Sequence, residues 1–287
     1  MPHVLTPAQV AGFHRDGFVA PVRAMSATRA QYYRDKLEAF EAAHPDHRLK
    51  LDQKAHMLCP WVDEMIREPG ILDATQDLIG PDILCWGTSL RAKRADGRTF
   101  AGWHQDTAYA DVKPIVVIVA LALSPSRAEN GCIRGIPGTH RGPLLPHKEG
   151  FGTDSLLSRE QFIDVPVDEA RAVDFALDPG EIALFNNAIV HASKPNLGSD
   201  RRIIFLLEMV PTHAHQHEPR ESAVLVRGQD RFGHFDADPP PREELGAAEL
   251  AAWQRAVEIQ ASVLFRGAQR PARALHGMTS GRPPGGN

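Results

Sequence analysis

The sequence predicts a mainly β domain with flanking helices, and three observations support this prediction. The chain has 287 residues and is 43% hydrophobic, so it can bury the core of one large domain. From about residue 82, segments rich in Val and Ile alternate with Gly, Pro and Asn, which is typical of strands and turns. Before them, apolar residues recur at helical spacing. The β-rich part is expected to form one core that the helices support.

Residues 1–80 are expected to be mainly helical. Thr6 is placed to cap a first helix, with Pro7 at the first helical position and Gln9 where a capping box requires it. A second helix is predicted from the cap residue Ser26 to Glu41, with Tyr33, Leu37 and Phe40 on one face.

A last helix is predicted to reach Arg266, with a buried stripe of Leu250, Trp253, Val257 and Leu264.

Four segments are predicted to be strands: 83–93, 115–123, 181–185 and 203–210. Segment 115–123 is almost continuously apolar, as in a strand that is buried on both faces, although periodicity alone also allows a short buried helix. The flanking residues Pro114 and Pro125 favour a strand.

Composition excludes several function classes. There are 32 Lys and Arg against 36 Asp and Glu, a net charge of −4 without long like-charged blocks, so no nucleic-acid or polybasic membrane surface is expected. Three widely spaced cysteines, Cys59, Cys85 and Cys132, argue against a disulfide framework and against a thiolate zinc site. There is no pattern of a signal peptide or a membrane span. We therefore expect a cytoplasmic protein that acts on a small molecule.

His104, Asp106 and His191 form a candidate metal site. In an extended strand, residues two apart point to the same side, so His104 and Asp106 could converge on one ion while Gln105 points away. With His191 they would complete the facial set of two histidines and one carboxylate that is used by non-haem Fe(II) oxygenases. The alternative is that each histidine satisfies a local hydrogen bond and Asp106 caps a turn.

A second histidine cluster is His213, His215 and His217. The alternation of its residues could also present imidazoles to a metal. It has no carboxylate at a comparable spacing and follows the last predicted strand, so a solvated loop is the preferred interpretation.

The chain resembles the phytanoyl-CoA dioxygenase family of Fe(II)- and 2-oxoglutarate-dependent oxygenases from about Thr6 to Arg227. The resemblance depends on five stretches of sequence. They are Thr-Pro-Ala-Gln-Val to Asp-Gly-Phe at 6–18, His-Gln-Asp at 104–106, Glu-Asn-Gly-Cys at 129–132, Pro-Gly-Thr-His at 137–140 and His-Ala-Ser-Lys-Pro-Asn at 191–196.

This resemblance implies a double-stranded β-helix, which is a jelly-roll or cupin-like core, and the use of Fe(II), 2-oxoglutarate and O2. It implies that His104, Asp106 and His191 are the catalytic metal ligands. It also implies that Arg202, with help from Ser193, binds the distal carboxylate of 2-oxoglutarate. Arg201 should point to the opposite face of the strand, where a solvated or ion-paired surface side chain is expected.

We expect a single catalytic domain over 1–287. Helical support is expected over 1–80 and the jelly-roll core over 81–212, with an insertion at 141–179. A C-terminal lid and helix are expected over 213–266, and a flexible tail over 267–287.

Substrate contacts are predicted for Arg91, Lys93, Trp103 and Arg227, although the first two could reach the cosubstrate instead and Arg227 could lie in a surface turn. Several arginines near the motifs suggest an anionic or zwitterionic substrate, and solvated side chains are the alternative for most of them. One departure from the family is Ala120, which stands where relatives commonly carry Trp, and its small side chain would enlarge or reshape the cosubstrate pocket.

The predicted reaction is hydroxylation of an unactivated C–H bond of a small molecule, with formation of succinate and CO2. Asp106 supports hydroxylation, because related halogenases have a small residue at that position. Desaturation, cyclisation or epimerisation with the same cofactors remain alternatives. Two others are a non-catalytic jelly-roll protein that binds metal and carboxylate, and a zinc hydrolase with three protein ligands.

Overall fold

The computed structural model describes residues 4–108, 112–150, 154–159, 161–216 and 219–267. The predicted tail therefore lies, apart from Gly267, outside the described residues, and so does His217 of the second histidine cluster. Five helices are described: α1 Pro7–Asp16, α2 Ala27–Ala43, α3 Pro60–Met65, α4 Pro69–Ile79 and α5 Ala247–Leu264. Within these ranges, no helix combines the length and the apolar composition needed to cross a bilayer.

The first two helices begin where the sequence predicts. The Thr6 side chain accepts a hydrogen bond from the Gln9 backbone and the Gln9 side chain bonds back to Thr6, which forms the expected capping box. Gly17 ends α1 in the left-handed conformation, with φ of 89°. Ser26 caps α2 through the backbone N–H of Arg29. Tyr33, Leu37 and Phe40 are buried on one face of α2, as predicted.

The strands fall into two main sheets and one separate pair. The larger sheet has the order β1-β9-β4-β11-β2-β12-β13, the smaller sheet has the order β3-β10-β5-β8, and β6 pairs with β7. The bounds are β1 Phe18–Arg23, β2 Ile83–Lys93, β3 Ala101–His104, β4 Val117–Ala122, β5 Ile133–Gly135, β6 His147–Glu149, β7 Gln161–Ile163, β8 Val173–Asp174, β9 Glu181–Asn186, β10 His191–Ser193, β11 Arg202–Pro211, β12 Ser222–Arg227 and β13 Asp236–Ala237.

The larger sheet is buried on both faces, and β4 shows why its sequence is continuously apolar. Val119 and Leu121 point to the helices and join a core that includes Leu37 and Phe40 of α2. Ile118, Ala120 and Ala122 point to the other face and pack between the sheets with Phe175 and Phe185. The space between the sheets is thus partly filled by side chains, and the candidate site lies at its open part.

Strand β11 places polar side chains on the inner face of the same sheet. Ile203, Phe205 and Leu207 pack towards the helices. The alternate positions Arg202 and Glu208 therefore face the space between the sheets, as do Ile204 and Leu206. The neighbouring strand β2 has a register shift opposite the Glu208–Met209 step. After this shift, Ser89, Arg91 and Lys93 share the inner face, while Leu90 and Ala92 pack against the helices.

Candidate metal centre and cosubstrate site

The structure brings His104, Asp106 and His191 together. His104 ends β3 and lies opposite His191 of β10 in the antiparallel register of the smaller sheet. Asp106 does not continue the strand, as the sequence interpretation assumed, but begins a short 3-10 helix at 106–108. Its backbone N–H donates to the carbonyl of Asn187 at 2.9 Å, which holds the carboxylate beside the two imidazoles.

The distances suit one metal ion. The Asp106 carboxylate lies 3.4 Å from Nε2 of His104 and 3.8 Å from Nε2 of His191. The three potential ligand atoms all lie within 4.8 Å of one another. Within the described ranges, no other group of histidine, cysteine or acidic residues satisfies this geometry. The cluster of His213 and His215 therefore does not form a second such site.

Backbone carbonyls orient both imidazoles. Nδ1 of His104 lies 2.8 Å from the carbonyl of Gly102, and Nδ1 of His191 lies 3.0 Å from the carbonyl of Ile189. A carbonyl oxygen can only accept, so each Nδ1 carries the proton and each Nε2 is left as a lone-pair donor. This is the tautomer that a metal ligand needs.

The charge states also favour metal binding. Burial and the neighbouring His104 lower the pKa of His191 to about 4, so its imidazole is neutral near pH 7. Burial acts to raise the pKa of Asp106, but His191, His104 and Arg91 outweigh it and hold the pKa below its usual value. A neutral His191 imidazole and an ionised Asp106 carboxylate suit the facial triad.

Gln105 fixes the turn between two of these residues, and its role was not predicted. Its side chain donates to the carbonyl of Ala188 at 2.9 Å and accepts from the backbone N–H of Leu145 at 2.9 Å. Its own backbone N–H donates to Nε2 of His147 at 3.2 Å. Gln105 is buried, so this polar side chain ties the chain around the metal centre to two other loops.

Arg202 points into the same cavity, whereas Arg201 points away. Arg202 is 1% exposed, and its Nε atom has no hydrogen-bond partner within the described residues. Burial lowers the pKa of Arg202 to about 10, so the guanidinium is still charged at pH 7. Arg201 forms an ion pair with Glu41 of α2 at 2.7 Å, as the alternative for that residue predicted. A buried cation with an unsatisfied donor is suited to a carboxylate ligand.

Ser193 and Lys93 lie on the Arg202 side of the cavity. Lys93 is opposite Arg202 in the register of β2 and β11, and its Nζ atom donates to Oγ of Ser193 at 2.7 Å and to the carbonyl of Lys194. Burial, followed by the charge of Arg202, lowers the pKa of Lys93 to about 6. Gly131, with φ of +74°, approaches the carbonyl of Lys194 so closely that a side chain there would meet it.

Two cavities meet at the metal centre. The metal cavity encloses about 620 Å³ of space and is lined by His104, His191, Ser193 and Arg202 among others. The side cavity encloses about 900 Å³ and extends towards Trp86, Glu221 and α5. Both are lined by Arg91, Asp106, Ile118, Leu157 and Glu208. A molecule in the side cavity would therefore reach the metal centre.

Three of the predicted substrate residues do not line these cavities. Lys93 is fully buried and bonded as described above. Trp103 packs against Val190 and Ile163 on another cluster, with the Arg134 guanidinium 5.7 Å from its ring. Arg227 pairs with Asp73 at 2.7 Å and with Gln76 of α4 at 2.9 Å. Arg91 does line both cavities.

Ala120 does not line either cavity. It is completely buried between the sheets, where it lies opposite Leu206 and Ala183 in the two neighbouring strands. The small side chain accommodates this packing, and Leu206 and Ile118 form the apolar wall of the metal cavity instead.

Glu208 is the most informative residue that the sequence interpretation missed. It lies on the inner face of β11 and lines both cavities. Burial, followed by the charge of Asp106, raises the pKa of Glu208 to about 7. Its sequence signal was its position, six residues after Arg202 and therefore on the same face of a strand.

Comparison with known proteins assigns the chain to a family. The model of the phytanoyl-CoA dioxygenase (PhyH) family matches residues 13–204. The probable phytanoyl-CoA dioxygenase of Caenorhabditis elegans is 29% identical over 149 residues, which are 48% of this chain and 46% of that protein. The chain spans about half the length of the curated relatives it matches.

Solved structures match over nearly the whole chain. The apo form of the non-heme monooxygenase ThoJ has a TM-score of 0.82 at 30% identity, covering 91% of this chain and 99% of that one. The ThoJ–Ni complex has a TM-score of 0.76 at 27% identity, covering 90% and 99%. These matches confirm the predicted jelly-roll fold class. The chain belongs to the phytanoyl-CoA dioxygenase family of Fe(II)- and 2-oxoglutarate-dependent oxygenases.

Proposed function

We propose that this protein is an Fe(II)- and 2-oxoglutarate-dependent dioxygenase that hydroxylates a C–H bond of a small molecule, with formation of succinate and CO2. The observation that carries the proposal is the metal cavity, which combines the facial set His104, Asp106 and His191 with the buried guanidinium of Arg202, whose Nε atom has no hydrogen-bond partner within the described residues. Iron, 2-oxoglutarate and O2 together supply the oxidising power for such a reaction.

The residues of the chain have separate roles in this proposal. His104 and His191 would bind the metal through Nε2, and Asp106 through its carboxylate. Arg202 would hold the distal carboxylate of 2-oxoglutarate, and the hydroxyl of Ser193 would assist it, since Lys93 donates to its oxygen and leaves its proton for the ligand. Ile118 and Leu206 provide apolar walls that exclude water from the site.

The substrate is proposed to bind in the side cavity. Arg91 is the predicted substrate residue that the structure supports, because it lines both cavities and its guanidinium has one weak contact, at 3.4 Å, to the carbonyl of Leu90. Hydroxylation is the leading reaction because an intact carboxylate occupies position 106. We also retain the predicted cytoplasmic location, which the three buried free cysteines support.

An anaerobic titration with Fe(II) and 2-oxoglutarate tests the proposal. Wild type should develop the visible metal-to-ligand charge-transfer band of a chelated cosubstrate. Arg202→Ala should weaken 2-oxoglutarate binding by at least about tenfold, because a charge-assisted bidentate contact is lost. Arg201→Ala is the matched control and should behave as wild type, since that guanidinium pairs with Glu41 outside the cavity.

The outcomes separate the alternatives. A band followed by oxygen-dependent release of succinate supports the dioxygenase. A band without turnover in the presence of a wide range of small molecules would favour a binding protein. A folded, metal-loaded wild type without any band contradicts the oxygenase, and zinc-dependent hydrolysis would then be examined. Product analysis distinguishes hydroxylation from desaturation, cyclisation or epimerisation.

A further inference from the structure

We infer that the substrate carries a protonated amine, and that Glu208 binds this amine in the side cavity. The inference rests on the proposed function, because it places the amine beside the metal centre of that reaction. It adds a chemical class of substrate and a residue that selects it.

Glu208 is placed between the metal centre and the side cavity. It lines both cavities together with Asp106, so a group bound to it would be held close to the reacting position. Within the described residues, no side chain or backbone N–H donates a hydrogen bond to its carboxylate, and it has no ion pair. A carboxylate that is partly buried without a partner is unfavourable in the empty protein and favours a cationic ligand.

Two other charged groups of the side cavity, Lys54 and Glu221, are already engaged by hydrogen bonds. Nζ of Lys54 donates to the carbonyls of Trp86 and Ser222 at 2.8 Å and to Asp238 at 3.0 Å, which uses all three of its protons. The Glu221 carboxylate accepts from Nε1 of Trp86 at 2.8 Å and from Nε2 of Gln216 at 2.5 Å. Glu208 therefore offers the carboxylate with free acceptor positions.

The charge balance at this end of the cavity is acidic. Lys54 is offset by its buried partner Asp238, whereas Glu208 and Glu221 have no cation bonded to them within the described residues. Burial raises the pKa of Glu208, and the charge of Arg91 acts against it, but the two side chains form no ion pair within the described residues. Along β11 their backbone positions are about 13 Å apart, since Arg91 is opposite Ile204. The Trp86 ring also lines the cavity and could stack on a cation.

Gly87 provides the space that the Glu208 side chain occupies. The two residues are opposite each other in the register of β2 and β11. A Cβ atom on Gly87 would lie 2.1 Å from Oε2 of Glu208, so any other residue would displace the carboxylate. The glycine thus allows the acid to lie across β2, at the edge of the side cavity.

Matched pairs of small probes test the inference. The probes are benzylamine with benzyl alcohol, cyclohexylmethylamine with cyclohexylmethanol, and hexylamine with hexanol. Their dissociation constants are measured by ligand-observed NMR on the full chain, both metal-free and loaded anaerobically with Fe(II) and 2-oxoglutarate. Each amine should bind wild type at least about tenfold more tightly than its alcohol, as expected for a charge-assisted hydrogen bond to a carboxylate.

Three variants locate the effect. Glu208→Gln should reduce the preference for amines to about twofold or less, because it removes the charge and keeps the size. Gly87→Ala should reduce it as well, because the new methyl group displaces the carboxylate. Glu258→Gln is the control, since Glu258 is exposed on α5, the helix that also supplies Gln260 to the cavity wall. This control should keep the wild-type preference.

The experiment distinguishes a failure of the amine inference from a failure of the proposed function. Equal binding of amines and alcohols by wild type, or a preference that persists in Glu208→Gln, overturns the inference. The charge-transfer band of the loaded samples reports on the cofactors independently. A band without a preference for amines overturns the inference alone, whereas a missing band overturns the proposed function whatever the probes do.

Discussion

At the scale of single residues, Glu208 should lower the stability of the empty protein. Its pKa is raised to about 7 by burial and by Asp106, whereas an unfolded glutamate titrates near pH 4.3. The folded state therefore holds the proton more tightly, so ionising this group above its folded pKa destabilises the fold, and the penalty disappears below the unfolded pKa. A residue that destabilises the empty protein is a candidate for ligand binding.

We predict that Glu208→Gln stabilises the metal-free protein more at pH 8 than at pH 5. The expected gain at pH 8 is on the order of 1–3 kcal/mol, or a few degrees in melting temperature. Thermal unfolding in the presence of a chelator at the two pH values measures it. An equal shift at both pH values would show that Glu208 is not held in an unfavourable charged state.

Residue patterns predicted part of the site, through the chemistry of the donor groups and the geometry of strands. The metal residues stood out because His104, Asp106 and His191 are the donor types that iron requires. Strand alternation put Arg201 and Arg202 on opposite faces, and the family resemblance selected Arg202; in the structure, Arg201 pairs with Glu41. Trp103 was misjudged because closeness in sequence to His104 does not put a side chain on the same face of a strand.

At the scale of elements, strand length explains part of what the sequence revealed, although the six-residue strands β1 and β12 were also missed. The long strands β2, β4, β9 and β11 were predicted within two residues of their bounds, because their sides facing the helices form regular apolar patterns. Strands β3, β5, β8 and β10 of the smaller sheet have two to four residues each, which is too short for a period to show. The two metal histidines, His104 and His191, lie in these short strands.

A buried ionic cluster connects elements that are distant in sequence. Asp238, which follows β13, accepts from Nζ of Lys54 at 3.0 Å and lies 3.1 Å from Nε2 of His56. Burial lowers the pKa of His56, so its ring is neutral at pH 7. Its Nε2–H group donates a hydrogen bond to the Asp238 carboxylate. The cluster holds the segment before α5 against the wall of the side cavity.

We predict that Asp238→Asn destabilises the protein by about 3–5 kcal/mol at pH 7, because it leaves the buried charge of Lys54 without a partner. Burial acts to raise the pKa of Asp238, but Lys54 and His56 hold it below its usual range, so this stabilisation is present above about pH 4 and decreases as the pH falls further. Urea unfolding at pH 7 and at pH 3 measures both effects.

Asp236→Asn is the matched control for that experiment. Asp236 also pairs with a cation, Arg220, at 2.8 Å, but its side chain is 63% exposed. Exposed ion pairs contribute about 1 kcal/mol or less. If both variants lost a similar free energy of unfolding, burial of the Asp238 cluster would not be the source of the stabilisation.

At the scale of the whole molecule, the proposed ligands connect the two sheets. The metal would bind His104 and His191 of the smaller sheet, and 2-oxoglutarate would join the metal to Arg202 of the larger sheet. A ligand that binds only the folded state stabilises it according to its concentration relative to its dissociation constant. The two ligands should therefore stabilise the protein in two separable steps.

We predict that Fe(II), under anaerobic conditions, raises the melting temperature of the chelated protein, and that 2-oxoglutarate raises it again. Each ligand at a hundredfold excess over its dissociation constant should contribute about 2.7 kcal/mol, which corresponds to roughly 5 °C in a chain of this size. In Arg202→Ala the first step should remain and the second should be lost, because only the cosubstrate spans the sheets. Arg201→Ala should keep both steps. If 2-oxoglutarate stabilised the metal-free protein and Arg202→Ala as strongly as the Fe(II)-loaded wild type, it would be binding elsewhere, and the connection between the sheets would be excluded.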